Sequence, residues 1–392
     1  MISVKEAKQK IDENVRLLQP KVLPLEQMAG LTLAGDVYAK FDIPAFAQSS
    51  MDGYAIQFQE KNIPLRIENK IAAGDGNSYS LSPGHATRIF TGAALPANAD
   101  TVVMQEKVII EDGNIVIKDT ELQKGDYVRA KGSEIKSAEI ALETNTVITP
   151  AALGFLAAIG VAKAFVYPTP VVSIIITGNE LQSPGKELLF GQVYESNSVS
   201  LAAALRQAGI DNINLIYAED EPEVVTSILE KTLTKSDLIL LTGGISVGDY
   251  DFVLQATEKC KIQKHFHKIK QKPGKPLFFG TKKNKVVFGL PGNPGSVLTC
   301  FYEYVLPAIE KMMGKKNTIK KIKATLQNAY SKKAGLTHFL KGFYENGKVT
   351  ILPSQASFQL RSFAKANCLI VLDEEVELIK ESDEVEVHLL PV

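Results

Sequence analysis

Two glycine-rich stretches each follow an apolar run suited to a buried strand. Leu238 to Leu241 leads into Thr242-Gly243-Gly244-Ile245-Ser246-Val247-Gly248-Asp249, and Val286 to Leu290 leads into Pro291-Gly292-Asn293-Pro294-Gly295-Ser296. Glycine removes the Cβ where a phosphate must approach the main chain, and Ser246 and Ser296 add hydroxyl donors near helix starts. Either loop alone is equally a tight strand-to-helix turn; the pair points to an anion site. A third loop, Thr177-Gly178-Asn179-Glu180-Leu181, carries an acid toward the same place, and Asp249 and Asp251 add carboxylates. Oxygen ligands beside phosphates suit Mg2+, whereas the bland alternative for these acids is helix capping. Lys272-Pro273-Gly274-Lys275-Pro276 holds two cations on a proline-stiffened segment. Adjacent ammonium groups repel, and an oxyanion between them relieves that repulsion, so the pair reads as an oxyanion clamp; a solvated basic turn is the alternative. His265 and His267 share one face of a strand but have no evident third ligand, which argues against a metal site.

The elements that must position these residues follow from the pattern of the chain. Ser3 with Glu6 forms a capping box for a helix whose apolar positions recur to Leu18, and Thr149-Pro150 starts a second helix closed by Gly160. Between them, from about residue 60 to 140, runs such as Lys107 to Ile110 and Ile115 to Ile117 flank the turn Asp112-Gly113-Asn114, so a small β domain is expected. If the two helices pack together, that β domain is an insertion. From Val171 continuously apolar strands alternate with amphipathic helices, which predicts a parallel, doubly wound sheet covered by helices. In such a sheet ligands bind beyond the carboxyl ends of the strands, where all three glycine loops fall. After Gly314 short strands return (IKATLQ, HFLKGF, VTILP, CLIVL, EVEVHLL), predicting a four- or five-stranded β unit. No internal repeat or low-complexity tract interrupts the chain.

Composition narrows the class. At 392 residues the chain suggests roughly two to four domains. Lys plus Arg and Asp plus Glu are 44 each, so no overall field draws in nucleic acid or an anionic membrane. No apolar run reaches the roughly 18 residues of a membrane span, and the start MISVKEAKQK lacks the apolar middle of a secretory signal, so a cytoplasmic protein is expected. Cys260, Cys300 and Cys368 have no paired spacing and read as buried free thiols.

In order, SSMDGYA (ending at Ala55), IFTGAALPANADTVVMQE (Ile89 to Glu106), RAKGSEI (Arg129 to Ile135), TGNEL (from Thr177), YESNS (from Tyr194), LLTGGISVGDYD, KPGKPLFFG, GLPGNPGS and SFAKANCLIVL (from Ser362) span the chain. This ordered set resembles the molybdopterin molybdenumtransferases, the bacterial molybdenum insertases also found as one domain of gephyrin. The resemblance implies a multidomain α/β plus β fold: a discontinuous N-terminal helical domain (residues 1–44 and 140–168), an inserted β domain (45–139), a three-layer molybdopterin-binding α/β domain (169–316) and a barrel-like C-terminal β domain (317–392). It further implies a homodimer in which Asp52 acts across the interface, and transient contact with molybdopterin adenylyltransferase.

The implied reaction takes molybdopterin-AMP and molybdate with Mg2+ and yields molybdenum cofactor and AMP. Asp52, Glu180 and Asp249 would hold Mg2+ and serve anhydride cleavage, none of them as a general base. Lys272, Lys275, Ser296 and Ser362 would hold molybdate, a tetrahedral dianion. Thr177, Gly178, Ser196, Asn197, Thr242, Gly243, Gly244, Ser246, Gly248, Pro291, Gly292 and Asn293 complete the implied substrate contacts. The substrate's dithiolene supplies sulfur ligands for molybdenum, so protein cysteines are unnecessary. This chain departs from the family pattern at Asn179 (usually an acid), Ser133-Glu134 (usually GED) and Glu195 (usually Asp), and Lys341 stands roughly where an arginine is expected, so its implied oxyanion contact would be monodentate at best. Two rivals are an adenylyltransferase, which resembles only Val171 to about Gly314, and a silent pterin-binding scaffold. The sequence does not discriminate molybdate from tungstate.

Overall fold

The computed structural model describes residues 1–244, 252–316 and 318–391. Ser3 caps α1 (Val4–Asn14), its hydroxyl accepting from the Glu6 N–H at 3.1 Å, and Ala7 and Ile11 form the buried stripe. The apolar period running on to Leu18 predicts a longer helix. The chain instead turns extended at Val15, and the Asn14 side-chain amide competes for the helix by donating to the Lys10 carbonyl. In α2 (Pro150–Ala158) Thr149 accepts from the Ala152 N–H, and Gly160 (φ +74°) takes the left-handed turn.

The chain forms two compact units: Met1–Leu23, Met28–Ala34 and Phe165–Val392 make one, Pro24–Gln27 and Gly35–Ala164 the other. Helix α1 lies in the first and packs against the helix Leu306–Met312, whereas α2 lies in the second and packs on the turn Leu25–Gln27.

The second unit is built on β1 (Gly53–Ile56), β2 (Leu65–Ile71), β3 (His85–Ile89), β4 (Thr101–Met104), β5 (Val108–Glu111) and β6 (Asn114–Ile117), in the order β4-β1-β3-β2-β6-β5. Strands β5 and β6 form the expected hairpin, with Asp112 (φ 47°) and Gly113 (φ 80°) supplying the two left-handed residues of its tight turn. Tyr54, Ile56, Leu65, Val103 and Ile115 bury one face. Gly53 is required where it stands, since a Cβ there would meet the Val103 carbonyl oxygen at 2.0 Å.

In the first unit, β7 (Val172–Thr177), β8 (Ile213–Ala218), β9 (Leu238–Thr242), β10 (Gln263–Lys268), β11 (Pro276–Lys282) and β12 (Lys285–Leu290) form one sheet in the order β8-β7-β9-β12-β11-β10. Four strands are parallel as expected; β11 then pairs antiparallel with β12 and β10 antiparallel with β11, so β11 alone runs against the rest. The reason is a tight turn at Lys283 (φ 55°) joining β11 to β12, which needs no crossover helix. Helices α3 (Asn197–Gln207), α4 (Pro222–Lys235) and α5 (Phe252–Lys259) connect the strands, and Val225, Leu229, Val253 and Ala256 pack on Ile175, Ile239 and Leu241. The last helical run, α6 (Pro294–Cys300) and α7 (Leu306–Met312), is interrupted by a π turn over Phe301–Val305. Pro307 removes one backbone donor at that point and crowds the preceding turn.

Strands β13 (Lys321–Leu326), β14 (Thr337–Glu345), β15 (Lys348–Ile351), β16 (Cys368–Leu372) and β17 (Glu384–Leu389) close into a five-stranded barrel, because β14 pairs with both β15 and β16. Leu340, Val349, Ile370 and Val387 fill it. All three cysteines are buried free thiols, as expected. Among the described residues no helix is long and apolar enough to cross a membrane.

Candidate functional site

A cavity of about 860 Å³ opens in the first unit beyond the carboxyl ends of β7 and β12. Four expected segments meet there: Glu180; Ser196 and Asn197; Lys272 and Lys275; and Pro291, Gly292, Asn293 and Ser296. From Glu180 to Ser296 they span more than a hundred residues of the chain.

Glu180 follows β7, and its carboxylate has no hydrogen-bond or ion-pair partner among the described residues. Asn197 opens α3 and is fixed through its amide nitrogen, which donates to Thr242 Oγ1 at 3.0 Å and to the Gly292 carbonyl at 2.8 Å. Its Oδ1 is buried without a partner among the described residues, an acceptor left for a ligand donor. Glu195, where the pattern leads one to expect aspartate, spends its carboxylate on α3: it accepts from the Ser198 N–H at 2.8 Å and the Ser198 hydroxyl at 2.5 Å.

The lysine turn is held from behind. Gln271 is buried, and its amide donates to the Pro273 and Gly274 carbonyls at 3.0 and 3.1 Å, while Tyr304, from the π turn, donates its hydroxyl to Gln271 Oε1. Gly274 (φ +85°) lies against Cys300, whose sulfur a Cβ would meet at 2.6 Å; burial pushes that thiol far above its ordinary range, so it is an inert packing group. Strand Gln271–Lys272 pairs with Thr337 and His338 of β14. Neither Lys272 nor Lys275 has an ion-pair partner among the described residues, so both ammonium groups stand at the cavity wall with hydrogens to give, while Glu180 and Glu195 line the same volume.

Several expected contacts serve the wall from behind. Thr177 and Thr242 are buried, and Thr177, Gly178, Thr242, Gly243 and Gly244 are absent from the lining. Gly243 (φ +88°) is needed because a Cβ there would strike the Thr177 carbonyl oxygen at 2.1 Å, so its missing side chain admits a neighbouring chain segment. Ser246, Gly248, Asp249 and Asp251 lie outside the described residues.

Two further expectations are corrected. Ser362 is buried, donates its hydroxyl to the Ser354 carbonyl at 2.7 Å, and faces a separate smaller cavity with Arg361 and Lys365. Lys341, the expected oxyanion contact, is 3% exposed, and its Nζ donates to the carbonyls of Ser354, Ala356 and Gln359 at 2.8, 3.3 and 3.1 Å. All three ammonium hydrogens are committed, leaving none for an anion. The segment it holds, residues 354–359, forms a strap that brings Gln355, Ser357 and Phe358 to the cavity. Sequence reasoning missed this wall; its only signal was a phenylalanine stranded in the polar run PSQASFQ.

Asp52 stands at the start of β1 in the second unit. Its Oδ1 accepts from the Thr91 N–H and hydroxyl, both at 2.8 Å, and these bonds hold its carboxyl below the usual range. Among the described residues no three His, Cys, Asp or Glu side chains group as a metal site. His265 is engaged by Thr281 at 2.8 Å.

Fold and cavity together define a multidomain protein with an α/β cavity lined by two lysines and two glutamates, and with a β-rich unit and a closed barrel in the same chain. "MoeA N-terminal region (domain I and II)" matches residues 2–160, "Probable molybdopterin binding domain" 173–311, and "MoeA C-terminal region (domain IV)" 323–390. The molybdopterin molybdenumtransferase of Haemophilus influenzae is 34% identical over 96% of this chain and 95% of its own length. That of Nostoc is 33% identical over 95% and 89%. The crystal structure of a molybdopterin biosynthesis MoeA protein from Pyrococcus horikoshii superposes with a TM-score of 0.85 at 29% identity, covering 99% of each chain. The chain belongs to the MoeA family of molybdopterin molybdenumtransferases and is an enzyme of the transferase class.

Proposed function

We propose that this protein inserts molybdenum from molybdate into adenylylated molybdopterin, with Mg2+, and releases AMP as the last step of molybdenum cofactor assembly. The observation that carries the reading is the cavity itself, where Lys272 and Lys275, the loop Pro291–Ser296 and Glu180 share one volume. Unpaired lysines on a braced turn suit a tetrahedral dianion, which ammonium groups hold by charge and by hydrogen bonds. The Ser296 hydroxyl and the Asn197 Oδ1 add orienting groups of opposite hydrogen-bond sense.

Mg2+ commonly takes one or two protein carboxylates and completes its shell with water and substrate phosphate oxygens. An unpaired Glu180 in the cavity fits that requirement, and Asp52 and Asp249 belong to the same proposal. When bound, the ion would neutralise charge on the departing phosphate. Glu180 orients the anhydride from one wall while the lysines fix the oxyanion on the other. The reading includes a homodimer, a role for Asp52 in the reaction, transient contact with molybdopterin adenylyltransferase and residence in the cytoplasm.

The test is AMP formation by the purified chain from molybdopterin-AMP, with molybdate and tungstate compared side by side in the presence of Mg2+. Glu180→Gln should lower the rate about a hundredfold, typical for loss of one preorganised electrostatic group, and should raise the Mg2+ concentration needed. Formation of molybdopterin-AMP from ATP, with no AMP release from it, would overturn the assignment in favour of an adenylyltransferase.

A further inference from the structure

An exposed phenylalanine at the wall of a ligand cavity is a ready contact, because burying it is favourable by roughly 1.5–3 kcal/mol. Phe358 is 65% exposed, yet it lines the cavity on the strap contributed by the barrel. The strap is tightly built. Gln355 pairs with strand β14 as a peptide would, accepting from the Lys341 N–H at 3.0 Å and donating to the Lys341 carbonyl at 2.9 Å. The Gly295 N–H donates to the Ser357 carbonyl at 2.8 Å, and Asn293 donates its side-chain amide to Ser357 Oγ at 3.0 Å. Lys341 draws the carbonyls of Ser354, Ala356 and Gln359 onto one buried ammonium. Burying a lysine with no carboxylate partner is costly, and here carbonyl dipoles offset that cost.

We propose that Phe358 is a stacking platform for a planar heteroaromatic ring of the substrate, and that Lys341 is the positioning residue that sets it by stapling the strap. The proposal rests on the functional reading above, which supplies a substrate with a pterin and an adenine ring. A fixed aromatic face loses little entropy on binding and gains ring stacking and burial. Lys341 thus acts on pterin-nucleotide binding, while Lys272 and Lys275 act on the oxyanion.

The experiment compares Lys341→Met, Phe358→Ala, Phe358→Tyr and the Lys341→Met/Phe358→Ala pair with wild type, in the full chain. Two readouts are taken: amide hydrogen exchange of residues 355–359 without ligand, and Kd for molybdopterin-AMP without molybdate. Lys341→Met should speed strap exchange about tenfold or more, the scale of one lost hydrogen bond to a charged donor. Both it and Phe358→Ala should raise Kd about tenfold, within the range for loss of one ring stack. Phe358→Tyr should bind as wild type, and the double variant should bind little worse than Lys341→Met, since the two act through one contact. The KM for molybdate should stay within about twofold of wild type in both single variants, a change of under half a kcal/mol in binding.

Wild-type exchange in Lys341→Met with a raised molybdate KM would overturn the staple in favour of direct oxyanion contact. A wild-type Kd in Phe358→Ala would overturn the platform even if Lys341→Met fails to fold. Failure of the wild-type chain itself to bind molybdopterin-AMP would sink the functional reading and the platform with it, and leave the exchange result to judge the staple alone.

Discussion

The molecule places lysine in two opposite settings within one unit. The turn Lys272–Lys275 leaves both ammonium groups without ion-pair partners at the cavity wall, on a backbone braced by Gln271 and Tyr304. Lys341 lies buried in the barrel strand β14 with every hydrogen committed to carbonyls, and burial lowers its pKa. Charge alone therefore does not define an anion site; what counts is whether the donor's hydrogens remain to be given. The first setting invites an oxyanion, and the second builds the wall beside it.

The sharpest way to break this contrast is to remove the exposed pair. Lys272→Ala combined with Lys275→Ala should slow AMP release by about a thousandfold, the upper range for losing preorganised charge at a reacting group, while leaving thermal stability near wild type. A double variant that still saturates with molybdate at the wild-type KM would show that the anion sits elsewhere. The next effect concerns the join between the two walls. Gly295→Ala would put a Cβ 2.7 Å from the Ser357 carbonyl oxygen, a backbone atom that must move. The cost should be about 1–3 kcal/mol of stability, read as a lower Tm together with weaker pterin binding; unchanged values for both would mean the strap adjusts freely.

The smallest effect sharpens the electrostatic side. His338 pairs with the strand carrying Lys272, and its pKa is lowered to about 4, first by burial and then by Lys332 and Lys272. The folded protein thus binds fewer protons here than the unfolded chain, whose histidine titrates near 6.5. The corresponding stability is fully present above pH 6.5 and is lost as pH falls toward 4. Calorimetry on His338→Gln should show a flatter Tm profile over that interval than wild type; identical slopes would assign the acid sensitivity to other groups.

Much of this arrangement was legible in the sequence, for local reasons. Ser3, Thr149 and Asp112-Gly113 act within a few residues, so their caps and turn follow from type and spacing. The strand-loop-helix grammar placed Glu180 and Asn293 at one end of a sheet, charge repulsion singled out the lysine turn and the family resemblance supplied Asn197, and these do share a cavity. What escaped depends on distant contacts. Gly243 looks like a phosphate cradle until Thr177 is seen against it. Ser362 and Lys341 have donor chemistry, but only burial reveals that the backbone of residues 354–359 already consumes it. The one reversed strand, β11, depends on a tight turn at Lys283-Asn284, a pair that lacks the glycine of the usual hairpin signature.

The pairing of Gln271–Lys272 with the barrel has a mechanical consequence. Lys272 is tied into a ladder with β14, whereas Lys275 runs directly into β11 of the α/β sheet. The two cations therefore belong to different sheets of one compact unit, and the proline-glycine link between them sets how far apart the two charges are held.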